Sequence, residues 1–152
     1  MVLTQILEPA CVKVPLDGMD KESVIKELVE LLGNNNLSFN KDQVFQAVLT
    51  RENTKSTGIG YGIAIPHGKC AGVKELVMAI GISHKGIDFK SIDGKPVYIV
   101  VLLASPIDRT GPHIQALARI SRLMLDEEFK NKLQNSASAK ELYELVSSKE
   151  SE

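Results

Sequence analysis

One histidine, His67, stands among glycines in a stretch whose composition a hydrophobic core does not need. Residues 51–69 read RENTKSTGIGYGIAIPHGK, with three glycines shortly before the histidine and Gly68 directly after it. Each glycine costs roughly 0.5–1 kcal/mol more than alanine in regular structure, so such a cluster indicates positive φ angles or close backbone approach to a ligand. The composition therefore predicts a small, polar ligand near His67.

An extended segment leads into this histidine. Ile63, Ala64 and Ile65 form a short apolar run, and Pro66 disfavours helical angles at the residue before it. We therefore expect His67 at the end of a strand.

The polar side chains before the glycines suit an anion. Arg51 can pair with phosphate or carboxylate oxygens, Ser56 and Thr57 offer hydroxyl groups, and the turn from Gly58 onwards exposes backbone N–H groups. With His67 they predict a nucleophile beside an anion-binding loop. The loop is not of the Walker type, because no Gly-Lys-Ser/Thr ending follows the glycines. It is not a dinucleotide fingerprint either, because the glycine spacing is wrong and a proline blocks the helix.

A second histidine, His113, follows a predicted strand and loop in the segment SPIDRTGPH, residues 105–113. Pro112 takes the favoured first position of a helix, which places His113 in the first turn. There the free N–H groups and the helix dipole favour an anion by roughly 0.3–1 kcal/mol and disfavour a protonated imidazole. A neutral His113 could donate to a phosphoryl oxygen. Ligands of open α/β sheets gather at the carboxyl ends of strands, so we expect this loop to meet His67.

Each of these residues also has a plainer interpretation. Both histidines can be structural or surface residues, and Arg51 can be a solvated cation at a helix end. A zinc ion held by His67 and His113 is a weaker alternative, because two histidines without a third ligand of defined spacing do not make a site. His84 has no partner visible in the sequence, and we expect it to be exposed and without a role.

The twelve residues from Thr57 to Gly68, TGIGYGIAIPHG, closely resemble the phosphohistidine signature of one protein family. They are similar to the fructose/mannitol-type (type-2) enzyme IIA domains of the bacterial phosphoenolpyruvate-dependent sugar phosphotransferase system (PTS), including their free-standing nitrogen-regulatory relatives. The resemblance extends over nearly the whole chain, through GKPV at 94–97, the apolar strand after it, Pro106 and His113. It implies that His67 accepts a phosphoryl group from the phosphocarrier HPr, with His113 and Arg51 close by and without a cofactor.

The resemblance leaves two roles open. In transport, His67 would pass the phosphoryl group to a cysteine of a IIB domain, and the protein would be peripheral to a membrane permease at most. In regulation, the phosphorylation state of His67 would control binding to another protein, a reading favoured by the lack of a permease or a IIB domain in this sequence. We expect Ile59 and Tyr61, in the glycine-rich loop, to help in docking HPr.

Composition sets further limits. The 152 residues predict a single domain spanning 1–152, with 43% hydrophobic and 24% charged residues and a formal charge of −1 that gives no footprint for nucleic acid. Cys11 and Cys70 are too few for a disulfide framework and are expected to be reduced thiols. A cytoplasmic location is expected, because no signal peptide or run of 18 apolar residues is present.

The predicted architecture is α/β: a single-domain α/β/α layered sandwich with a central mixed sheet of about five strands flanked by helices. Strands are expected at 11–14, 76–82 and 97–104, with a short one near 87–89, and the unbroken apolar run of 97–104 indicates burial on both faces. Helices are expected at 20–32, ended by Gly33, from Asn40 to Arg51, after Pro112, from Asp126 to 133, and from Ser138 onwards.

Two finer expectations concern the last helices. The helix after His113 should bury an apolar face and leave Arg119 and Arg122 in solvent; the residues of that face are Ile114, Leu117, Ala118, Met124 and Leu125. The chain after Ser147, and so the tail 148–152, should fray.

Overall fold

The structure is a computed structural model that describes residues 2–36 and 38–151. Its strands are β1 (Leu7–Lys13), β2 (Gly58–Gly60), β3 (Ile63–Ala64), β4 (His67–Lys69), β5 (Val77–Ile87) and β6 (Val97–Ser105). Its helices are α1 (Lys21–Asn34), α2 (Lys41–Thr54), α3 (Thr110–Leu123), α4 (Glu127–Gln134) and α5 (Ala139–Glu150), and a 3₁₀ turn at Leu3–Gln5 precedes β1.

The strands form one mixed sheet in the order β1-β5-β6-β3-β2, with β4 also pairing with β6. β5 runs antiparallel to β6, whereas β3 and β4 run parallel to it. α1 and α2 pack on each other and on the sheet, and α4 and α5 form a second packed pair that also contacts it. The predicted α/β sandwich is therefore confirmed, with six strands in the described residues where about five were expected.

β6 is the centre of the core. Eight of its nine residues are buried, which confirms the prediction that this strand is covered on both faces. The buried apolar side chains form one contiguous cluster, drawn from the sheet and from the inner faces of the helices. A rigid sheet centre of this kind fixes the residues at the two ends of β6, and the candidate site lies at one of those ends.

Helix starts follow the sequence signals closely. The side chain of Asp20 accepts a hydrogen bond from the Ser23 N–H at 2.8 Å, and that of Asn40 accepts one from the Gln43 N–H at 3.0 Å. Gly33, in contrast, does not end α1 as predicted. The helix continues through Asn34, and the aliphatic stem of Lys41 covers the space that a side chain at position 33 would occupy.

The predicted strand at 76–82 and the short one near 87–89 are a single strand. β5 runs from Val77 to Ile87 and pairs with β6 at both ends, with a register shift between Ile82 and Ile87. The residues between these two paired parts form a bulge within β5, so the prediction of a separate strand near 87–89 was wrong. β1 likewise extends from Leu7, four residues before the strand predicted at 11–14.

α3 begins at Thr110, two residues before the predicted start, and it is rotated relative to the predicted face. Ile114, Ala118 and Leu125 are exposed, whereas Met124 is buried and Leu117 partly buried, as predicted. The helix also buries His113, Ala116, Ile120 and Leu123. These buried positions follow a spacing of three and four residues that includes the histidine. The prediction of the buried face used apolar residues only. It therefore left out His113 and selected the neighbouring face of the helix.

The predicted frayed tail is also wrong for the residues described. α5 extends to Glu150, whose carboxylate accepts hydrogen bonds from the N–H groups of Leu3 and Thr4 and forms an ion pair with Arg119 at 3.6 Å. Arg119 is therefore partnered rather than solvated, whereas Arg122 is exposed as predicted. Glu152 lies outside the described residues.

Neither cysteine is in a disulfide, as expected. Burial, followed by the negative charge of Glu8, raises the pKa of the Cys11 thiol to about 11, so the thiol stays protonated at neutral pH. Among residues 2–36 and 38–151, no helix has the length and apolar character needed to cross a bilayer.

Candidate active site

The two strands β3 and β4 follow one another along β6 and deliver His67 to its carboxyl end. Ile63 lies opposite Ile99, and His67 lies opposite Leu103 in the same parallel register. The interruption at Pro66 keeps the alignment, because the Pro66 carbonyl accepts a hydrogen bond from the Leu103 N–H at 3.0 Å. His67 is thus the first residue of β4, and it is half-buried.

A backbone group fixes the tautomer of His67. Its Nδ1 atom lies 2.8 Å from the Ile65 carbonyl oxygen. A carbonyl can only accept, so Nδ1 carries the proton and donates it in this hydrogen bond. The Nε2 atom of the neutral ring therefore holds the lone pair, which makes it the nucleophilic atom.

His113 lies directly beside His67, as the sequence predicted. The ring centroids are 5.4 Å apart, and the planes are inclined by 61°. His113 is 4% exposed, and its Nδ1 atom lies 2.7 Å from the hydroxyl oxygen of Ser105 at the end of β6. The N–H of His113 already bonds to the Arg109 carbonyl, so the residue closes the first turn of α3 rather than offering a free N–H.

Both rings are held neutral. Burial lowers the pKa of His67, the hydrogen bond to the Ile65 carbonyl opposes this, and the charge of Arg51 lowers it further. For His113, burial comes first, followed by repulsion from a protonated His67 and from Lys69, and together they lower the pKa to about 4. At pH 7, one of the two neutral imidazoles can therefore attack an electrophile while the other donates a hydrogen bond.

Arg51 reaches the site because α2 packs closely against β4. A Cβ atom at Gly68 would lie 3.0 Å from the Val48 nitrogen, so a side chain here would push against the backbone of α2. Arg51 lies in the last turn of α2, where its Nη1 atom donates to the Lys55 carbonyl at 2.7 Å. It makes no hydrogen bond to His67 among the described contacts, but its charge acts on that ring.

The sequence reasoning missed Lys69. Its charge lowers the pKa of both histidines, and its Nζ atom donates to the Thr110 hydroxyl at 3.2 Å, at the start of α3. A signal was available, because side chains two residues apart in a strand share a face. His67 and Lys69 occupy one face of β4, and Gly68 faces α2.

The structure does not support the predicted phosphate-binding role of Ser56, Thr57 and Gly58. The N–H and hydroxyl groups of Thr57 both donate to the buried carboxylate of Glu52, at 2.6 Å each. The Ser56 hydroxyl donates to the Phe89 carbonyl and accepts from the Gly58 N–H. These donors are committed to holding the hairpin, so they are not available to an anion.

The rest of the glycine-rich loop lies at the other end of the sheet. The Gly62 carbonyl accepts from the N–H groups of Tyr98 and Ile99, at the amino end of β6. The five steps from Gly62 to His67 span roughly 16 Å in extended conformation. The prediction that these glycines cradle an anion beside His67 was therefore wrong.

The two residues predicted to dock HPr also lie at the end of the sheet away from His67. Ile59 and Tyr61 line an open pocket of about 540 Å³ together with Tyr98 and Lys130, away from His67. A docking role for these two residues around the histidine does not agree with the structure.

No metal centre is formed at the two histidines. Within residues 2–36 and 38–151, no group of three or more His, Cys, Asp or Glu side chains is arranged to hold a metal ion. The zinc alternative considered above lacks its third ligand.

Comparison with known proteins settles the family. The family model described as "Phosphoenolpyruvate-dependent sugar phosphotransferase system, EIIA 2" matches residues 5–149. The chain belongs to this EIIA family. It is 34% identical over 146 residues to the fructose-specific EIIABC component of Bacillus subtilis (strain 168), covering 96% of this chain but 23% of that relative. It is 35% identical over 150 residues to a nitrogen regulatory protein of Bradyrhizobium diazoefficiens, covering 96% of this chain and 95% of the relative.

Solved structures of EIIA proteins share the fold. The nitrogen regulatory protein IIA-Ntr from Neisseria meningitidis superposes with a TM-score of 0.86 at 30% identity, covering 93% of this chain and 97% of that one. The mannitol enzyme IIA of Escherichia coli, solved in complex with phosphorylated enzyme IIB, gives a TM-score of 0.80 at 21% identity, covering 94% and 99%. The EIIA chain described here is therefore a PTS phosphotransfer component with a fold common to transport and nitrogen-regulatory members.

Proposed function

We propose that this EIIA protein is a phosphohistidine carrier in which the Nε2 atom of His67 is the phosphoacceptor. The observation that carries the proposal is the hydrogen bond from Nδ1–H to the Ile65 carbonyl, which leaves the Nε2 lone pair as the reactive group. The lone pair attacks phosphorus as the bond to the donor protein breaks, so no separate base is needed. Positioning and electrostatics then account for most of the rate.

The phosphorylated ring brings a charge of about −1.5 to −2 into the site. The cations Lys69 and Arg51 act on the His67 ring, and neutral His113 lies against it. Hydrogen bonds to charged groups contribute roughly 1.5–3 kcal/mol each. A carrier has to release the group, and this set of two cations and one neutral ring stabilises the charge without enclosing it.

The donor is an HPr-type phosphocarrier, and we infer that it docks over Ile107 and Ile114. These side chains are 66% and 59% exposed and flank His113 in sequence on the loop and first turn of α3. Ile107 also lines an open, largely apolar groove that includes Lys69 and Cys70. Exposed aliphatic side chains around a phosphoacceptor supply contact area for a protein partner.

For the acceptor, a cysteine of a IIB domain and a regulatory protein both have support. The solved complex of E. coli mannitol IIA with phosphorylated IIB shares this fold, and the Bacillus relative is a fructose-specific EIIABC component. The chain also spans 95% of a nitrogen regulatory protein. In either role we propose that it works in the cytoplasm, where HPr-type donors deliver the phosphoryl group.

Radiolabelling tests the phosphoacceptor. With enzyme I, HPr and ³²P-labelled phosphoenolpyruvate, wild type should label, and His67→Ala should not. His84→Ala is the matched control, since His84 is exposed and its ring donates to the Ser136 carbonyl. Full labelling of the His67 variant would refute the proposal. His113→Ala should still label but transfer onward poorly.

The acceptor is tested in a second step. The labelled protein is incubated with a purified IIB domain, and in parallel the phosphorylated and unphosphorylated forms are used in pull-downs. Loss of label to a IIB cysteine supports transport. A partner retained by one phosphorylation state alone supports regulation.

A further inference from the structure

A buried serine contacts the second histidine. Ser105 is the last residue of β6 and is fully buried, at 0% exposure. Its hydroxyl oxygen lies 2.7 Å from the Nδ1 atom of His113. Its carbonyl accepts a hydrogen bond from the Cys70 N–H at 3.1 Å, which fixes the backbone at this point.

The direction of this hydrogen bond follows from what else the serine can reach. Across residues 2–36 and 38–151, His113 Nδ1 is the hydrogen-bond partner of the Ser105 hydroxyl. If Nδ1–H donated to the serine, the O–H group would be a buried donor without an acceptor, which is costly. If the serine donates to the Nδ1 lone pair, its donor is satisfied.

We propose that Ser105 is a positioning residue that holds His113 as the Nε2–H tautomer. The two neighbouring rings then have opposite tautomers. His67 presents a lone pair at Nε2, because its Nδ1–H is bound to the Ile65 carbonyl, whereas His113 presents an N–H donor.

This inference rests on the proposed function for its consequence. A phosphoryl oxygen bound to His67 can accept a hydrogen bond from Nε2–H of His113. The other tautomer would direct a lone pair at the same oxygen and repel it. Without the serine hydroxyl, both tautomers become populated, and transfer through the site should slow by roughly three- to tenfold.

Nitrogen NMR of protein labelled with ¹⁵N-histidine measures the tautomer directly. In wild type at pH 7, His113 should show a pyridine-type Nδ1 and a pyrrole-type Nε2 signal, and His67 should show the reverse. In Ser105→Ala the His113 signals should move towards averaged positions while those of His67 stay. Ser105→Thr, which keeps the hydroxyl, should restore the wild-type pattern.

The matched control is Ser83→Ala. Ser83 is also a buried, hydrogen-bonded serine, but it lies on β5 and accepts from the Gly86 N–H, near the other end of the sheet. It should leave both histidine spectra and the transfer rate unchanged. Loss of transfer in the Ser83 variant equal to that of Ser105→Ala would show that a general loss of packing explains both.

A pyrrole-type Nδ1 for His113 in wild type would overturn the inference, and this measurement needs no variant to fold. Unaltered His113 signals in a folded Ser105→Ala protein would do the same. Neither result depends on phosphorylation. Failure of the proposed function would instead appear as absent labelling of His67 in wild type.

Discussion

The two ends of β6 differ in what they present. The histidine end, defined by His67, Lys69, Ser105 and His113, holds one half-buried and one buried imidazole, each hydrogen-bonded at Nδ1, beside the exposed side chain of Lys69. The glycine end, defined by residues 59–62, presents exposed apolar side chains on a left-handed backbone. One twelve-residue signature supplies both ends, because an extended chain advances about 3.3 Å per residue.

Two kinds of glycine explain this division. Gly60 and Gly62 have φ angles of 93° and 80°, with Tyr61 at 58° between them, and together they turn β2 into β3. Gly68 is at an ordinary φ, and a Cβ atom there would press on the backbone of α2. The first pair therefore serves the shape of a hairpin, and the last glycine sets the distance between β4 and the helix that carries Arg51.

The largest expected effect separates these glycines. Gly68→Val should destabilise the protein by about 2–3 kcal/mol and reduce phosphoryl acceptance severely, because its Cβ would meet the backbone of α2 at Ala47 and Val48. Gly60→Ala should cost about 1–2 kcal/mol through its left-handed φ and leave acceptance intact. Urea unfolding and ³²P labelling measure both. Equal loss of labelling in the two variants would remove the distinction between the ends.

Docking offers the next test of the comparison. The double change Ile107→Ser and Ile114→Ser should weaken HPr affinity by about tenfold, since two exposed aliphatic anchors beside the acceptor are lost. The matched pair, Ile59→Ser and Tyr61→Ser, should leave affinity unchanged, because these side chains lie at the glycine end. Calorimetric titration with HPr measures the affinity of both double variants. A larger loss of affinity from the second pair would place the docking surface at the glycine end.

The smallest expected effect is a pH dependence confined to the histidine end. The pKa of His113 is about 4 in the folded protein, against about 6.5 when unfolded, so the unfolded state binds more protons between these values. The stability that this residue contributes is complete above pH 6.5 and is lost progressively as the pH falls towards 4. His113→Gln should flatten this acid-side loss by roughly 1–3 kcal/mol, measured by urea unfolding from pH 7 to 4.5.

His84→Gln is the control for that titration. His84 lies near the end of β5, and its side chain is exposed. Its stability curve should follow wild type. If the stability curve flattened in this variant and stayed unchanged in His113→Gln, the acid sensitivity would come from His84, and the prediction for His113 would be wrong.

Local signals in the sequence predicted much of the fold. The cap at Asn40, the buried run of β6 and the α/β class needed no more than spacing and residue type. They are reliable because a helix cap or a fully buried strand is decided within a few residues. The pairing of His67 with His113 also followed, from the rule that ligands gather at the carboxyl ends of strands.

The errors concern contacts between separate elements of the fold. The rotation of α3 depends on burying His113 against Ser105, and hydrophobicity does not count a histidine as a core residue. The hydrogen bond from Thr57 to Glu52 can be predicted only when the position of the end of α2 is known. The displacement of Tyr61 from His67 depends on strand register along β6, which no local pattern encodes.

The group that orients His67 belongs to the main chain. Any amino acid at position 65 supplies the same carbonyl, so replacing side chains around the ring can change charge, contact surface and preferred partner while the reactive nitrogen stays the same. New acceptor specificities can therefore evolve, or be engineered, on the surface of this protein without re-inventing its chemistry.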